Sequence, residues 1–449
     1  MMAERARPNL ILVVIDTLRA DHLSCYGYRL PTSPNVDRMA REGVRFASAF
    51  SHASYTHPGY TSLLTGKDPI THQIVRMGGW VPLAEHHVML PEVLRDAGYA
   101  TAAVDNLATS GRRVKGTWFL RGFDTYVNYR DQPPAKDGIN ARDFENVRLL
   151  AAPLLEELAR GRRPFFLFLH AWDTHRPLHP PQPYATRWYT GPHTPDAMQN
   201  YSTDPPLLEL PNGDPVPDVD QADLRFTIAL YDGAVSYVDA QLGLLLQQID
   251  RLGLAGNTVL LFTADHGECL GEYGVVCRHK YVHDPTTHVP FIWWGPGVLP
   301  SGVTVHALAQ HMDYTPTVLD LAGIPQPAQQ LPMDGISLVP VIRGITDTTY
   351  PYAFHGATNP DVRRAIRTHR YRFLRRLPQA PGKPWLADRE LYDLFADPGE
   401  THNVAHLYPH VADRLEAALD RWIEEKVARN GQPDPLAEQA VPPAGELGP

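Results

Sequence analysis

NLILVVID, residues 9–16, sets the frame for the rest of the chain. Six apolar residues follow Asn9 without alternation, and four of them (Ile11, Val13, Val14 and Ile15) are β-branched. An unbroken run of this kind reads as a strand covered on both faces, as in a parallel sheet flanked by helices. It stops at a carboxylate, Asp16. The same design recurs downstream. Tyr99–Val104 ends at Asp105-Asn106, Pro164–Leu169 delivers His170 and Asp173, and Thr258–Thr263 ends at Asp265-His266. Helical patterns fill the intervals at Thr32–Gly43, Leu90–Ala97, Val147–Arg160 and Leu224–Leu252, while Val44–Phe50 and Pro290–Trp294 read as extended. This alternation predicts an α/β fold, a large mostly parallel sheet sandwiched by helices. Ligands of such sheets bind beyond the carboxyl ends of the strands. The Asp and His residues at the strand ends all fall on that edge.

At 449 residues the chain exceeds the usual size of one core, so a second, smaller unit is expected. The pattern changes near Gly344. Tyr352–Phe354, Val362–Thr368 and Tyr371–Arg375 read as short strands, followed by Glu390–Leu394 and by an amphipathic helix over His410–Ala428 with Val411, Leu415, Leu419, Trp422 and Ile423 on one stripe. The expected division is a catalytic α/β domain over 1–345, a small antiparallel sheet with one helix over 346–429, and a disordered Pro-, Gly- and Glu-rich tail over 430–449. A net charge of -9 and the lack of a basic run argue against nucleic acid as a partner. Three cysteines make no disulfide framework. No apolar run reaches membrane-spanning length and no targeting segment is visible, which leads us to expect a cytoplasmic protein. Many of the 43 prolines cluster between Arg176 and Asp218, a stretch expected to form a surface loop over the ligand edge.

One further stretch carries chemistry. Residues 54–66, SYTHPGYTSLLTG, read as a loop presenting the Thr56 hydroxyl at the start of a short helix. Proline suits the first helical turn and a preceding Thr can cap it. The free N–H groups and the dipole of such a terminus favour an anion in front of Thr56.

Taken together, these landmarks resemble the sulfatase family of the alkaline phosphatase superfamily. The resemblance rests on NLILVVIDTLRADHLSCYGY at 9–28, TxPxxxSLLTG at 56–66, Asp173-Thr-His175 followed by Pro-rich sequence, and DHGECLGEYG at 265–274. It continues through His288-Val-Pro-Phe-Ile, DYTPTVLDLAGIP at 313–325, DGISL at 334–338 and ELYDL at 390–394. The resemblance implies one divalent cation held by Asp16, Asp265 and His266, with Thr56 as the nucleophile touching it. It implies that His175 and Lys280, with His279 beside them, bind the substrate and protonate its leaving group, and that Asn106 contacts the substrate at another strand end. Asp173 is a further substrate-side candidate, or with His175 a holder of a second metal. The substrate implied is a small anionic ester.

Two departures from the family pattern bear on the chemistry. The second Asp of the usual strand-end pair is Thr17 here, which removes a carboxylate, weakens the case for Ca²⁺ and leaves Mn²⁺ or Zn²⁺ open. The nucleophile position, Cys or Ser in sulfatases and oxidised there to formylglycine, is Thr56. Oxidising Thr at Cβ gives a methyl ketone that hydrates poorly. Without a second hydroxyl, a sulfated Thr cannot expel sulfate by collapsing to a carbonyl. A phosphorylated Thr is a workable intermediate, because water attacks phosphorus in line. The expectation is therefore a phosphate or phosphonate ester hydrolase, with sulfate ester hydrolysis, phosphoryl transfer and a non-catalytic binding protein as alternatives.

Overall fold

A computed structural model describes residues 7–77, 81–111, 115–193, 221–279, 281–328, 331–358, 362–377 and 387–439. Lys280 and most of the Pro-rich stretch lie outside these residues.

Eight strands form the main sheet: β1 (Asn9–Ile15), β2 (Val44–Phe46), β4 (Ala100–Asp105), β5 (Thr125–Asn128), β6 (Phe165–Ala171), β7 (Thr258–Thr263), β10 (Phe291–Trp294) and β11 (Val303–Val305). Their order is β11-β2-β10-β7-β1-β6-β4-β5. β1 lies at the centre, paired in parallel with β6 and β7, and its six apolar residues are buried as the unbroken pattern requires. One apolar cluster on each face covers the sheet. Leu10, Leu12 and Val14 point into one, Ile11, Val13 and Ile15 into the other. The 31-residue helix Gln221–Arg251 packs in the second. Only β10 runs against the rest, antiparallel to both β7 and β2. Two small ribbons complete the domain, β3 (Ala49–Phe50) with β12 (Ala309–Gln310) and β8 (Cys269–Leu270) with β9 (Val276–Arg278).

The chain then builds a four-stranded antiparallel sheet in the order β13 (Ala353–Ala357), β14 (Arg363–Arg367), β15 (Tyr371–Arg376) and β16 (Arg389–Asp393). Period-two alternation divides its faces. Ile366, Phe373 and Leu391 pack under the helix Pro409–Asn430, against Val411, Leu415 and Leu419. Ala365, Leu374 and Tyr392 face the other way and meet Val282, from a loop of the main domain.

Two expectations change. Thr56 is not a cap: the helix Thr56–Thr65 begins at Thr56 itself, with Tyr55 in extended geometry before it, so the hydroxyl is left for another partner. The tail does not lose order at Asn430. Pro435–Gln439 form a short helix, because Leu436 is buried with Val75, Val362 and Leu377, and Asp434 pairs with the buried Arg364.

Candidate active site

Strand order puts the polar residues side by side. With β7, β1, β6 and β4 adjacent, Asp265-His266, Asp16, His170 and Asp105 form a row along the carboxyl edge. Just after β1, Thr17 takes a positive φ of 59°, a costly conformation for a β-branched residue. That twist turns its N–H onto Asp265 Oδ1 at 3.1 Å, while its hydroxyl donates to the Asp16 carbonyl at 2.7 Å. The His266 N–H also donates to Asp265 Oδ1, at 2.8 Å. One oxygen of Asp265 is thereby fixed by two backbone donors and the other, Oδ2, faces the site without a partner among the described residues. His266 donates Nδ1–H to the Gly267 carbonyl at 2.9 Å, which leaves the Nε2 lone pair pointing 3.3 Å from Asp265 Oδ2.

The ligand atoms of Asp16, Asp265 and His266 lie within 4.8 Å of one another, and all three residues are fully buried. Asp16 Oδ1, Asp265 Oδ2 and His266 Nε2 have no hydrogen-bond partner among the described residues. Buried carboxylates left without donors are strongly unfavourable unless a cation neutralises them. Two carboxylate oxygens and an imidazole nitrogen therefore fit a divalent ion. Thr56 Oγ1 lies beside them, donating to Asp16 Oδ2 at 3.4 Å. Its helix reaches this position because residue 59 is glycine: a Cβ there would fall 2.7 Å from the Asp265 carbonyl oxygen.

The electrostatics agree with a site built for positive charge. Burial, with the Asp16 carboxylate beside it, raises the Asp265 carboxyl to about 7 in the absence of metal. Burial pushes Asp16 up as well, but the imidazoles of His170, His175 and His266 around it outweigh that and hold it below its usual value. Burial alone would lower His170, yet Asp105 and Asp16 bring it to about 9.

A second tier of side chains surrounds this centre. The His279 ring lies 4.4 Å from that of His266, 5.5 Å from Tyr55 and 5.6 Å from His175, centroid to centroid. Glu268, fully buried, sits with Oε1 3.6 Å from His279 Nδ1, and burial raises its carboxyl well above the usual range. His175 donates Nδ1–H to the Arg176 carbonyl at 2.6 Å, and burial lowers its pKa. His175 and His279 are thus brought together beside His266.

The remaining candidates are placed differently. Asn106 uses Oδ1 to accept from Tyr129 Oη at 2.7 Å and from Trp172 Nε1 at 2.9 Å, which leaves only its buried Nδ2 unpaired among the described residues. Asp173 uses Oδ2 to accept the Phe144 N–H at 2.8 Å, at the start of the helix Phe144–Arg160, and its buried Oδ1 has no hydrogen-bond partner among the described residues. No second cluster of three metal-ligating groups occurs among the described residues. Lys280 lies outside the described residues.

Sequence reasoning did not connect His170 with Asp105 and passed over Glu268. A histidine closing the apolar run FFLFLH was the available signal for the first, and the glutamate two residues after His266 for the second.

Comparison with known proteins identifies relatives over most of the chain. A family model described as Sulfatase matches residues 8–324, and one described as N-sulphoglucosamine sulphohydrolase, C-terminal, matches residues 271–426. The chain is similar to human iduronate 2-sulfatase, 26% identical over 428 residues, covering 84% of this chain and 76% of that one. It is similar to human arylsulfatase A, 27% identical over 526 residues, covering 95% and 91%. In fold it is similar to the phosphonate monoester hydrolase of Agrobacterium radiobacter, with a TM-score of 0.74, 23% identity, and coverage of 94% and 96%.

Proposed function

Because the chain belongs to the sulfatase family of ester-bond hydrolases, we propose that it hydrolyses a phosphate or phosphonate ester with Thr56 as nucleophile. The observation that carries this reading is the Thr56 hydroxyl itself, at a helix N-terminus and 3.4 Å from Asp16 Oδ2. Asp16, Asp265 and His266, with Thr56, would hold a divalent cation of the Mn²⁺ or Zn²⁺ class. When bound, that ion lowers the pKa of the hydroxyl and neutralises the ester oxygens. Thr56 Oγ1 gives its proton to solvent and forms the new bond to phosphorus as the bond to the leaving oxygen breaks. The leaving oxygen takes a proton from the His279 imidazole. Water then attacks phosphorus in line, releasing the product and restoring the threonine hydroxyl.

Sulfate ester hydrolysis is the second reading, favoured by the two human sulfatases among the chain's relatives. Initial rates on an aryl phosphonate monoester, an aryl phosphate diester and an aryl sulfate, each with Mn²⁺, Zn²⁺ and Ca²⁺, decide between them. We expect the phosphorus esters to be preferred by at least about tenfold in kcat/KM. Preference for the aryl sulfate overturns the phosphorus reading. Thr56→Ala is expected to lower kcat roughly 10⁴-fold; full activity in that variant removes Thr56 as nucleophile.

A further inference from the structure

The two carboxylates of the centre are held in different ways. Asp265 is fixed from below by the N–H groups of Thr17 and His266, both on Oδ1. Asp16 has no backbone donor of this kind on its carboxylate among the described residues. Its Oδ2 faces two side chains instead, Thr56 Oγ1 at 3.4 Å and His170 Nε2 at 3.8 Å, and its Oδ1 has no partner among the described residues.

His170 is itself held tightly. It sits in β6, between β1, which leads to Asp16, and β4, which ends at Asp105. Nδ1 donates to Asp105 Oδ1 at 2.7 Å, and the ring is packed 4.8 Å from Tyr60 and 5.0 Å from Trp172 between centroids. Asp105 is locked in turn, accepting the Leu107 N–H on Oδ1 at 3.0 Å and Tyr126 Oη on Oδ2 at 2.5 Å. A chain of contacts thus runs across four neighbouring strands, from Tyr126 on β5 through Asp105 and His170 to Asp16 at the end of β1. A histidine serving only the core would be satisfied by Asp105 at one nitrogen and apolar packing at the other. Here the second nitrogen is fully buried, has no hydrogen-bond partner among the described residues and points at a carboxylate of the metal centre.

We propose that Asp105 and His170 form a positioning pair for Asp16, holding its Oδ2 so that Oδ1 is presented to the cation. The pair gives Asp16 what two backbone N–H groups give Asp265. The inference rests on the reading of Asp16, Asp265 and His266 as a cation site. Partners that orient a ligand in this way typically change metal affinity 10- to 100-fold when removed.

The test uses the full chain stripped of metal, titrated with Mn²⁺ and with Zn²⁺ by calorimetry, and with Co²⁺ by visible absorption. Asp265→Asn is the control and is expected to abolish binding. His170→Gln is expected to weaken binding about 10- to 100-fold and to shift the Co²⁺ bands. Asp105→Asn is expected to move both readouts in the same direction, and the double variant to lose no more than His170→Gln alone, because the residues act in series. Metal-free melting curves identify any variant that fails to fold, in which case Asp105→Asn carries the measurement. Affinity and Co²⁺ spectra unchanged in both folded variants, with binding lost in Asp265→Asn, overturn the positioning pair and leave the cation site standing. Binding retained in Asp265→Asn overturns the cation site and the pair with it.

Discussion

His52, His57 and His311 are buried so completely that desolvation keeps each neutral, with pKa values of about 4, 4 and 3. His57 spends Nε2 on Ser110 Oγ at 2.8 Å and His311 spends Nε2 on the Ala264 carbonyl at 2.9 Å, directly beneath Asp265. In the unfolded chain these rings titrate near 6.5. Their folded pKa values are lower, so between pH 6.5 and about 4 the unfolded state binds more protons than the fold. Stability therefore falls as pH drops through that window. Urea denaturation at stepped pH from 7 to 5 is expected to show a steadily falling midpoint, and His57→Phe to flatten part of that slope. At this scale the sequence was informative where the residues that act together are also close in the chain, so that Asp265-His266 and Thr56 are read from local motifs. It was silent where partners come from different strands, as for Asp105 and His170, 65 positions apart. The contact of Asp173 with the Phe144 N–H was equally illegible, since a carboxylate near a strand end reads alike whatever distant group it meets.

The helix Thr56–Thr65 is buried along its whole length, and its position rather than its amphipathicity defines its role. It lies against the end of β7 at Gly59, where any side chain would strike the Asp265 carbonyl. Gly59→Ala is expected to cost about 1–3 kcal/mol of stability, as overpacking of a tight contact does. It is also expected to draw Thr56 away from Asp16, so that turnover falls more than the shift in melting temperature explains; parallel melting and kinetic measurements check this. The strands themselves were legible because a short, unbroken, β-branched apolar run needs cover on both faces, which a central strand of a sandwiched sheet receives. The direction of β10 was not. FIWW reads as a buried strand of either sense, and only the course of residues 264–290 decides it. That segment remains at the carboxyl edge, spending itself on the centre, the β8–β9 ribbon and a four-residue helix, so the next strand starts at that edge and runs back. A parallel strand would have needed a crossover to the opposite edge.

Across the whole molecule, the C-terminal sheet is joined to the main domain by buried charge. Arg372 on β15 is completely buried; it pairs with Asp284, bonds the Val282 carbonyl and lies with Nε 3.0 Å from Glu400. Arg367 on β14 adds two contacts to Asp284, both at 3.0 Å. These groups grip the segment 282–287, three residues beyond His279. Arg372→Met leaves Asp284 and Glu400 buried with less compensation and is expected to cost about 3–5 kcal/mol, read from the denaturant midpoint. A second tie runs through Lys426, whose Nζ lies 2.6 Å from Asp68 Oδ2, shortly after the helix Thr56–Thr65. The consequence concerns the order in which a ribosome makes the chain. Asp16, Thr56 and Asp265 emerge long before the arginines that steady the loop beside His279, and Glu400 emerges later still. A nascent chain can close its main sheet and assemble the cation ligands early, but the substrate side of the centre gains its anchor only when synthesis has passed residue 400.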